Sequence, residues 1–153
     1  MLNKINEINF ENDEIIEYLR AMGYKKIESN TIGNDLIHRP SLIAFLKSGS
    51  NYNKYRKLLK DVYKNDIETL DEELVEQVKE NILYLKNTAI TIRRGVSLHG
   101  ERFNLIESPV GGMGKNPLFD NNIFAFANQY SYSVKDDSGS NIYTRRPDIV
   151  FFL

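Results

Sequence analysis

The fold is decided by the stretch Tyr143-Thr-Arg-Arg-Pro-Asp-Ile-Val-Phe-Phe-Leu153, in which an acidic residue follows a proline and precedes an apolar run. The run from Ile149 to Leu153 contains no polar residue, and this pattern predicts a strand that is buried on both faces. Pro147 fits the start of such a strand, because its missing N–H costs little there. Asp148 is then a carboxylate at the start of a buried strand, where a charge must be paired, hydrogen-bonded or bound to a metal ion. Since nothing follows Leu153 to cover this strand, we expect the chain to be a piece of a longer protein.

Length and composition are those of one globular domain. The chain has 153 residues, of which 41% are hydrophobic and 27% charged, enough for a real core. The net charge is −1, so any contact with nucleic acid must come from a local basic patch. The absence of cysteine excludes a disulfide framework, a thiolate metal site and a cysteine nucleophile. No signal peptide or membrane span is readable, and we expect a cytoplasmic protein without a membrane partner.

Helical periodicity dominates the first half of the chain. Helices are predicted from about Asn12 to Met22, from Pro40 to Leu46, from Asn53 to Lys64, and from the capping-box pattern Thr69-Leu-Asp-Glu72 to Leu85. A short strand is predicted at residues 24–27, and a loop at residues 28–39.

Strand patterns dominate the second half. We predict a hairpin in which residues 88–98 turn at His99-Gly100-Glu101 into residues 102–107, a loop over residues 108–122, a strand over residues 124–134 and a turn over residues 136–141. Helices followed by strands indicate the α/β class, in its mixed α+β form, within one domain and without internal repeats.

Two stretches carry a family resemblance. They are Asn122-Ile-Phe-Ala-Phe-Ala-Asn128-Gln129-Tyr130 and the strand that begins Arg146-Pro147-Asp148. Together they resemble the N-terminal nuclease region of the restriction (motor) subunit of type I restriction-modification enzymes. That family has an Asn-x-Phe-x-x-x-Asn-Gln-aromatic stretch and an Arg-Pro-Asp-Ile-Val-x-Phe strand. Weaker likenesses are Leu105-Ile-Glu-Ser-Pro109 and the opening helix that ends in Gly-Tyr. The resemblance makes Asn128, Gln129 and Pro147 motif residues of structural importance.

The resemblance implies a restriction-endonuclease-like core of the PD-(D/E)xK type. Asp148 is then its first catalytic acid and a ligand of Mg²⁺, a hard cation that prefers oxygen donors. The second acid and a lysine belong to a Glu-x-Lys motif on the following strand, so the chain is a partial endonuclease domain, truncated before its second catalytic strand. A glutamate on the family's first helix can assist the metal. Asn12 stands at that position here, with Glu11 and Glu14 nearby, and Glu14 is the candidate metal ligand.

The function implied by the resemblance is Mg²⁺-dependent cleavage of double-stranded DNA. The intact complex would contain modification and specificity subunits, and ATP would bind only to motor domains further along the parent protein. The alternative is a non-catalytic module that binds DNA or docks onto another subunit.

Basic residues at helical spacing or beside the Pro-Asp motif are candidate DNA contacts: Lys57, Lys60, Lys64, Arg145 and Arg146. The three lysines are predicted to share one helical face, which either binds phosphates or is simply solvated. The two arginines either bind phosphates or pair with Asp136 or Asp137 across the turn. The same ambiguity holds for Arg93 and Arg94. The two histidines lack metal-ligand spacing.

Overall fold

The computed structural model describes residues 14–33, 35, 37–112, 114–128, 132–145 and 149–152. Their helices are α1 (Ile16–Ala21), α2 (Arg39–Leu46), α3 (Tyr52–Asp61), α4 (Ile67–Leu85) and α5 (Thr88–Arg94). Their strands are β1 (Lys25–Lys26), β2 (Val96–Leu98), β3 (Glu101–Phe103), β4 (Val110–Gly111), β5 (Gly114–Lys115), β6 (Ala125–Asn128), β7 (Tyr132–Lys135), β8 (Asn141–Arg145) and β9 (Ile149–Phe152). The predicted mixed α/β class is confirmed. No helix within these ranges has both the length and the apolar character needed to cross a bilayer.

The described residues group into two compact units. One comprises those up to Ile37 together with those from Ile123 onward, and we call it the sheet unit. The other, His38–Asn122, is the helical unit.

The sheet unit is built on a three-stranded sheet in the order β1-β6-β9. β1 runs parallel to β6, and β9 runs antiparallel to it. The apolar face of α1 buries Ile16 and Leu19 against Phe126, which is fully buried in β6. The helix ends at Ala21, and Gly23 follows with a positive φ, as predicted for a left-handed stop, before the chain enters β1. The predicted opening helix and first strand are thus confirmed within the described residues, while Asn12 lies outside them.

The sheet unit also contains a 3₁₀ helix at Ser29–Thr31, within the predicted loop, and the β7–β8 hairpin. The predicted turn at residues 136–141 is confirmed. Asp136 stabilises it by accepting hydrogen bonds from the backbone N–H groups of Ser138 and Ser140, both at 2.9 Å. The hydroxyl of Ser138 also donates to this carboxylate, and these bonds lower the pKa of Asp136. The strand predicted over residues 124–134 consists of two separate strands, β6 and β7.

The core of the helical unit forms around α4. Its buried residues repeat at helical spacing, as the sequence predicts: Leu70, Leu74, Val75 and Val78. They share the unit with buried side chains from α2, α3, β2 and β3: Phe45, Leu46, Tyr55, Leu58, Val96, Leu98 and Phe103.

The start of α4 differs from the predicted capping box. The helix begins at Ile67, and Asp66 is its N-cap. The Asp66 carboxylate accepts hydrogen bonds from the hydroxyl of Thr69 at 2.7 Å and from its backbone N–H at 3.1 Å. These bonds lower the pKa of Asp66. The prediction of Thr69 as the cap was wrong because Thr69 lies within the first turn, where it donates to the true cap.

Helix α5 replaces the first arm of the predicted hairpin. The β-branched residues after Asn87 indicated a strand, but Thr88–Arg94 is helical. The Asn87 side chain caps this helix by accepting a hydrogen bond from the N–H of Ile90 at 3.1 Å. The fully buried Thr91 donates its hydroxyl to the carbonyl of Asn87. Capping and burial therefore override the local strand preference.

We expect Asn87→Ala to destabilise the protein by about 1 kcal/mol, because the N–H of Ile90 loses its acceptor. Urea denaturation measures this change. Asn87→Asp is the matched control, since aspartate is an equally good cap and should retain the urea midpoint. Equal midpoints for the alanine variant and the unmodified protein would contradict the capping role.

The hairpin itself is shorter than predicted. β2 and β3 pair antiparallel through the two-residue turn His99-Gly100, and both turn residues have positive φ. This is the pattern of a tight hairpin turn, so the predicted turn position is confirmed. The predicted loop at residues 108–122 contains the small β4–β5 hairpin and a 3₁₀ helix at Pro117–Asn121.

Candidate functional site

Strands β6 and β9, which belong to the two motif stretches, pair in the three-stranded sheet. β6 ends at Asn128, and β9 begins at Ile149, its register partner. In the sequence, Gln129 follows Asn128 directly, and Asp148 directly precedes Ile149. The antiparallel pairing therefore places Asn128 and Ile149 side by side at one end of the sheet.

Several predicted site residues lie outside the described residues: Gln129, Arg146, Pro147 and Asp148. Arg145 is placed by its backbone, opposite Tyr132 in the β7–β8 ladder. DNA binding by the two arginines, and their pairing with acidic residues of the turn, stay predictions.

Glu14, the second candidate metal ligand, is exposed and lies two residues before α1. Within the described part of the chain, no three His, Asp or Glu side chains form a group that could hold a metal ion. The predicted Mg²⁺ site thus depends on Asp148, and Glu14 alone is no site.

The predicted lysine face is altered by the end of α3. This helix stops at Asp61, so the prediction that Lys64 continues the face is wrong. Lys64 has a positive φ and donates from Nζ to the carbonyl of Asp61 at 2.7 Å. Lys57 forms an ion pair with Glu101, and this hydrogen-bonded partner raises the pKa of Lys57. Lys60 is exposed, and no acidic partner contacts it within the described residues. Of the three lysines, Lys60 is therefore the one available to an external anion.

Helix α3 carries a basic cleft that the sequence analysis did not identify. The cleft has a volume of about 460 Å³ and is lined by Arg56, Lys57, Leu59, Lys60, Asp61 and Asn65. Arg56 stands four residues before Lys60, so both lie on one face of the helix. This spacing was readable from the sequence and would have added Arg56 to the candidates. Neither residue has an acidic partner in the described structure, so both can attract an anion.

The acidic residues of α4 behave differently, because three of the six form ion pairs with lysine or arginine within the helical unit. Asp71 accepts from Lys47 at 2.6 Å, and Glu72 accepts from Arg39 at 2.5 Å. Glu76 pairs with Lys79 at 2.9 Å. The positive charge of α3 therefore remains available to solvent, while much of the negative charge of α4 is neutralised.

Glu107 is a buried carboxylate in the Leu105–Pro109 stretch, with 4% of its surface exposed. Its Oε1 accepts hydrogen bonds from the backbone N–H of Ser50 at 3.0 Å and from the Ser50 hydroxyl at 2.5 Å. Its backbone N–H and carbonyl bond the side-chain amide of Asn122 at 2.7 and 2.9 Å. No cation pairs with this carboxylate among the described residues. We assign it a structural role, since its hydrogen bonds join two distant segments of the helical unit.

The two histidines are engaged in local contacts. His99 lies 2.9 Å from the hydroxyl of Tyr63, which donates to Glu73 at 2.5 Å. Burial and the hydrogen bond to Glu73 raise the pKa of Tyr63. His38 contacts the hydroxyl of Ser41 at 2.7 Å, and burial lowers the pKa of His38. The first network fastens the β2–β3 turn to the segment between α3 and α4.

No protein-family model, no curated protein and no solved structure matches this chain.

Proposed function

We propose that this chain contributes to the nuclease domain of a type I restriction enzyme's motor subunit, with a restriction-endonuclease-like core. The observation that carries the proposal is the pairing of β6 with β9, in which Asn128 stands opposite Ile149. A nuclease core of this type needs its first acid at the end of a strand, beside a neighbouring strand. The register supports such a position for Asp148.

Asp148 is the residue that would hold Mg²⁺ in this core, with Glu14 as a second candidate. When bound, Mg²⁺ supplies a Lewis acid for the phosphate and lowers the pKa of a coordinated water. Asp148 would orient the ion through its carboxylate oxygens. In the proposed family, the Glu-x-Lys strand adds the second acid and a lysine that stabilises the developing negative charge.

Double-stranded DNA is the proposed substrate of the intact enzyme. The proposed partners are the modification and specificity subunits of a type I complex, and ATP would serve only the motor domains of the parent protein. These assignments rest on the resemblance of the Asn-Gln and Pro-Asp stretches.

A non-catalytic module is the second candidate function. The observation that favours it is the basic cleft on α3, where Arg56 and Lys60 have no acidic partner among the described residues. Such a cleft can bind DNA phosphates whether or not a cleavage site is complete.

Reading the coding sequence beyond Leu153 distinguishes the nuclease domain from the non-catalytic module. If it continues through Asn-Gly-x-Pro-Leu into Glu-x-Lys, the nuclease assignment gains its missing residues. A stop codon at that point would favour the binding module. The decisive measurement is Mg²⁺-dependent nicking of supercoiled plasmid by a protein that includes the Glu-x-Lys strand.

A further inference from the structure

Three basic residues from separate elements converge in the helical unit. Lys54 of α3 donates from Nζ to the carbonyl of Arg102 in β3 at 2.6 Å. Arg102 in turn donates from Nε to the carbonyl of Arg94, the last residue of α5, at 2.8 Å, and its Nη2 bonds the same oxygen. We call Lys54, Arg102 and Arg94 the basic ridge. The sequence does not predict it, because Lys54 and Arg102 are 48 residues apart.

The ridge has no acidic counterpart within the described residues. Its hydrogen-bond acceptors are backbone carbonyls, which carry no formal charge. The neighbouring acid, Glu101, is already paired with Lys57. No acidic group of the described structure therefore neutralises the charges of these three side chains. A bound polyanion would supply the missing negative charge.

A cleft of about 410 Å³ adjoins the ridge at Arg94 and is lined by Ile90, Arg93 and Arg94. Arg93 and Arg94 are both exposed, and Arg93 also lacks an acidic partner in the described structure. The cleft thus extends the positive surface along the end of α5.

The ridge cations keep hydrogen-bond donors for a ligand. A guanidinium group has five N–H donors and an ammonium group has three. Arg102 uses two nitrogens to bond the carbonyl of Arg94, and Lys54 donates one bond to the carbonyl of Arg102. These contacts fix the side chains before any ligand arrives, which lowers the entropy lost on binding.

Several cations from separate elements fit a repeating anion better than a single one. The sugar–phosphate backbone offers phosphates at regular intervals, and its binding releases counterions. Single-strand binders stack bases on aromatic side chains, and none lies in the ridge or its cleft. We propose that the basic ridge binds the phosphate backbone of duplex DNA without reading its sequence. The inference rests on the proposed function only for the choice of DNA as the ligand.

The test measures binding of the 153-residue chain to a fluorescent duplex by anisotropy, in EDTA. The duplex has about 20 base pairs, and salt is varied from about 50 to 200 mM. Lys54→Gln and Arg94→Gln should each reduce the slope of log affinity against log salt by about one. Lys79→Gln is the matched control, because it removes the same charge from a lysine that is paired with Glu76. It should leave the slope unchanged.

Two further variants separate binding from folding. Arg94→Gln keeps the backbone carbonyl that Arg102 bonds, so circular dichroism should show an intact fold. Arg94→Lys keeps the charge and should bind within about twofold of the unmodified chain, because phosphate attraction is mainly electrostatic.

Four results would overturn the inference. They are equal slopes for the ridge variants and Lys79→Gln, tighter binding of single-stranded DNA, tighter binding of duplex RNA, and displacement of the duplex by inorganic phosphate at constant ionic strength. Binding is measured without Mg²⁺, so a result that rejects DNA binding by the basic ridge does not affect the proposal of Mg²⁺-dependent cleavage. Likewise, Asp148-independent cleavage by the longer protein would reject the nuclease core without affecting the ridge.

Discussion

Replacing Asp148 with alanine, in a protein that includes the Glu-x-Lys strand, is expected to abolish Mg²⁺-dependent nicking of supercoiled plasmid. The loss should be at least about 10²–10³-fold, because a metal ion contributes several kcal/mol to stabilising the transition state and each 1.36 kcal/mol is worth a factor of ten. Circular dichroism should be unchanged, since the proposed role of Asp148 is to bind the metal ion and not to support the fold.

Asp137→Ala is the matched control for this prediction. Asp137 is an exposed acid in the β7–β8 turn, so the same chemical change there should leave cleavage intact. The 153-residue chain alone is expected to be inactive, because a single carboxylate does not hold and orient Mg²⁺. Nicking by this chain that is lost in Asp148→Ala would contradict the three-residue core.

Gly95→Ala is expected to destabilise the helical unit by about 2–4 kcal/mol. Gly95 ends α5 with φ 69° and ψ −170°, a conformation that is essentially restricted to glycine. A Cβ atom there would lie 2.1 Å from the carbonyl oxygen of Phe103. Phe103 is fully buried in β3, so neither backbone can move away without disturbing the core.

Urea denaturation tests the prediction with Gly112→Ala as the control. Gly112 has no positive φ, and a Cβ atom would meet nothing within 4 Å. Its substitution should change the free energy of unfolding by less than about 0.5 kcal/mol. Similar losses for both variants would mean that the close approach of Gly95 and Phe103 does not govern stability.

Local sequence spacing predicted the elements whose stability is decided locally. The stripe on α4 has the helical period, and its residues Leu74, Val75 and Val78 are buried as expected, whereas Ile82 and Leu85 near the end of the helix are half-buried. The β2–β3 turn was predictable from His99-Gly100, because glycine adopts positive φ without steric cost and histidine adopts it more often than most residues do. Helix α5 was missed because its β-branched residues favour strands, whereas the Asn87 cap and the burial of Thr91 decide the outcome.

The candidate sites depend on contacts between residues that are distant in the sequence. The lysine spacing in α3 could not reveal that Lys57 pairs with Glu101, 44 residues further on. Lys64 was predicted to lie on the same face as Lys57 and Lys60 because the helix was expected to continue to residue 64, but it ends at Asp61. The motif resemblance pointed to Asn128 and Asp148, but the pairing of Asn128 with Ile149 is a register that no local pattern contains.

The unequal distribution of charge between α3 and α4 has a kinetic consequence. Four basic residues and one acidic residue lie on α3, whereas α4 has six acidic residues and one basic residue. Asp71, Glu72 and Glu76 of α4 are paired with cations, whereas Arg56 and Lys60 of α3 have no acidic partner among the described residues. The unpaired cations of α3 therefore attract an approaching duplex before contact, although the whole chain has a net charge of only −1. Added salt should then slow association much more than it speeds dissociation.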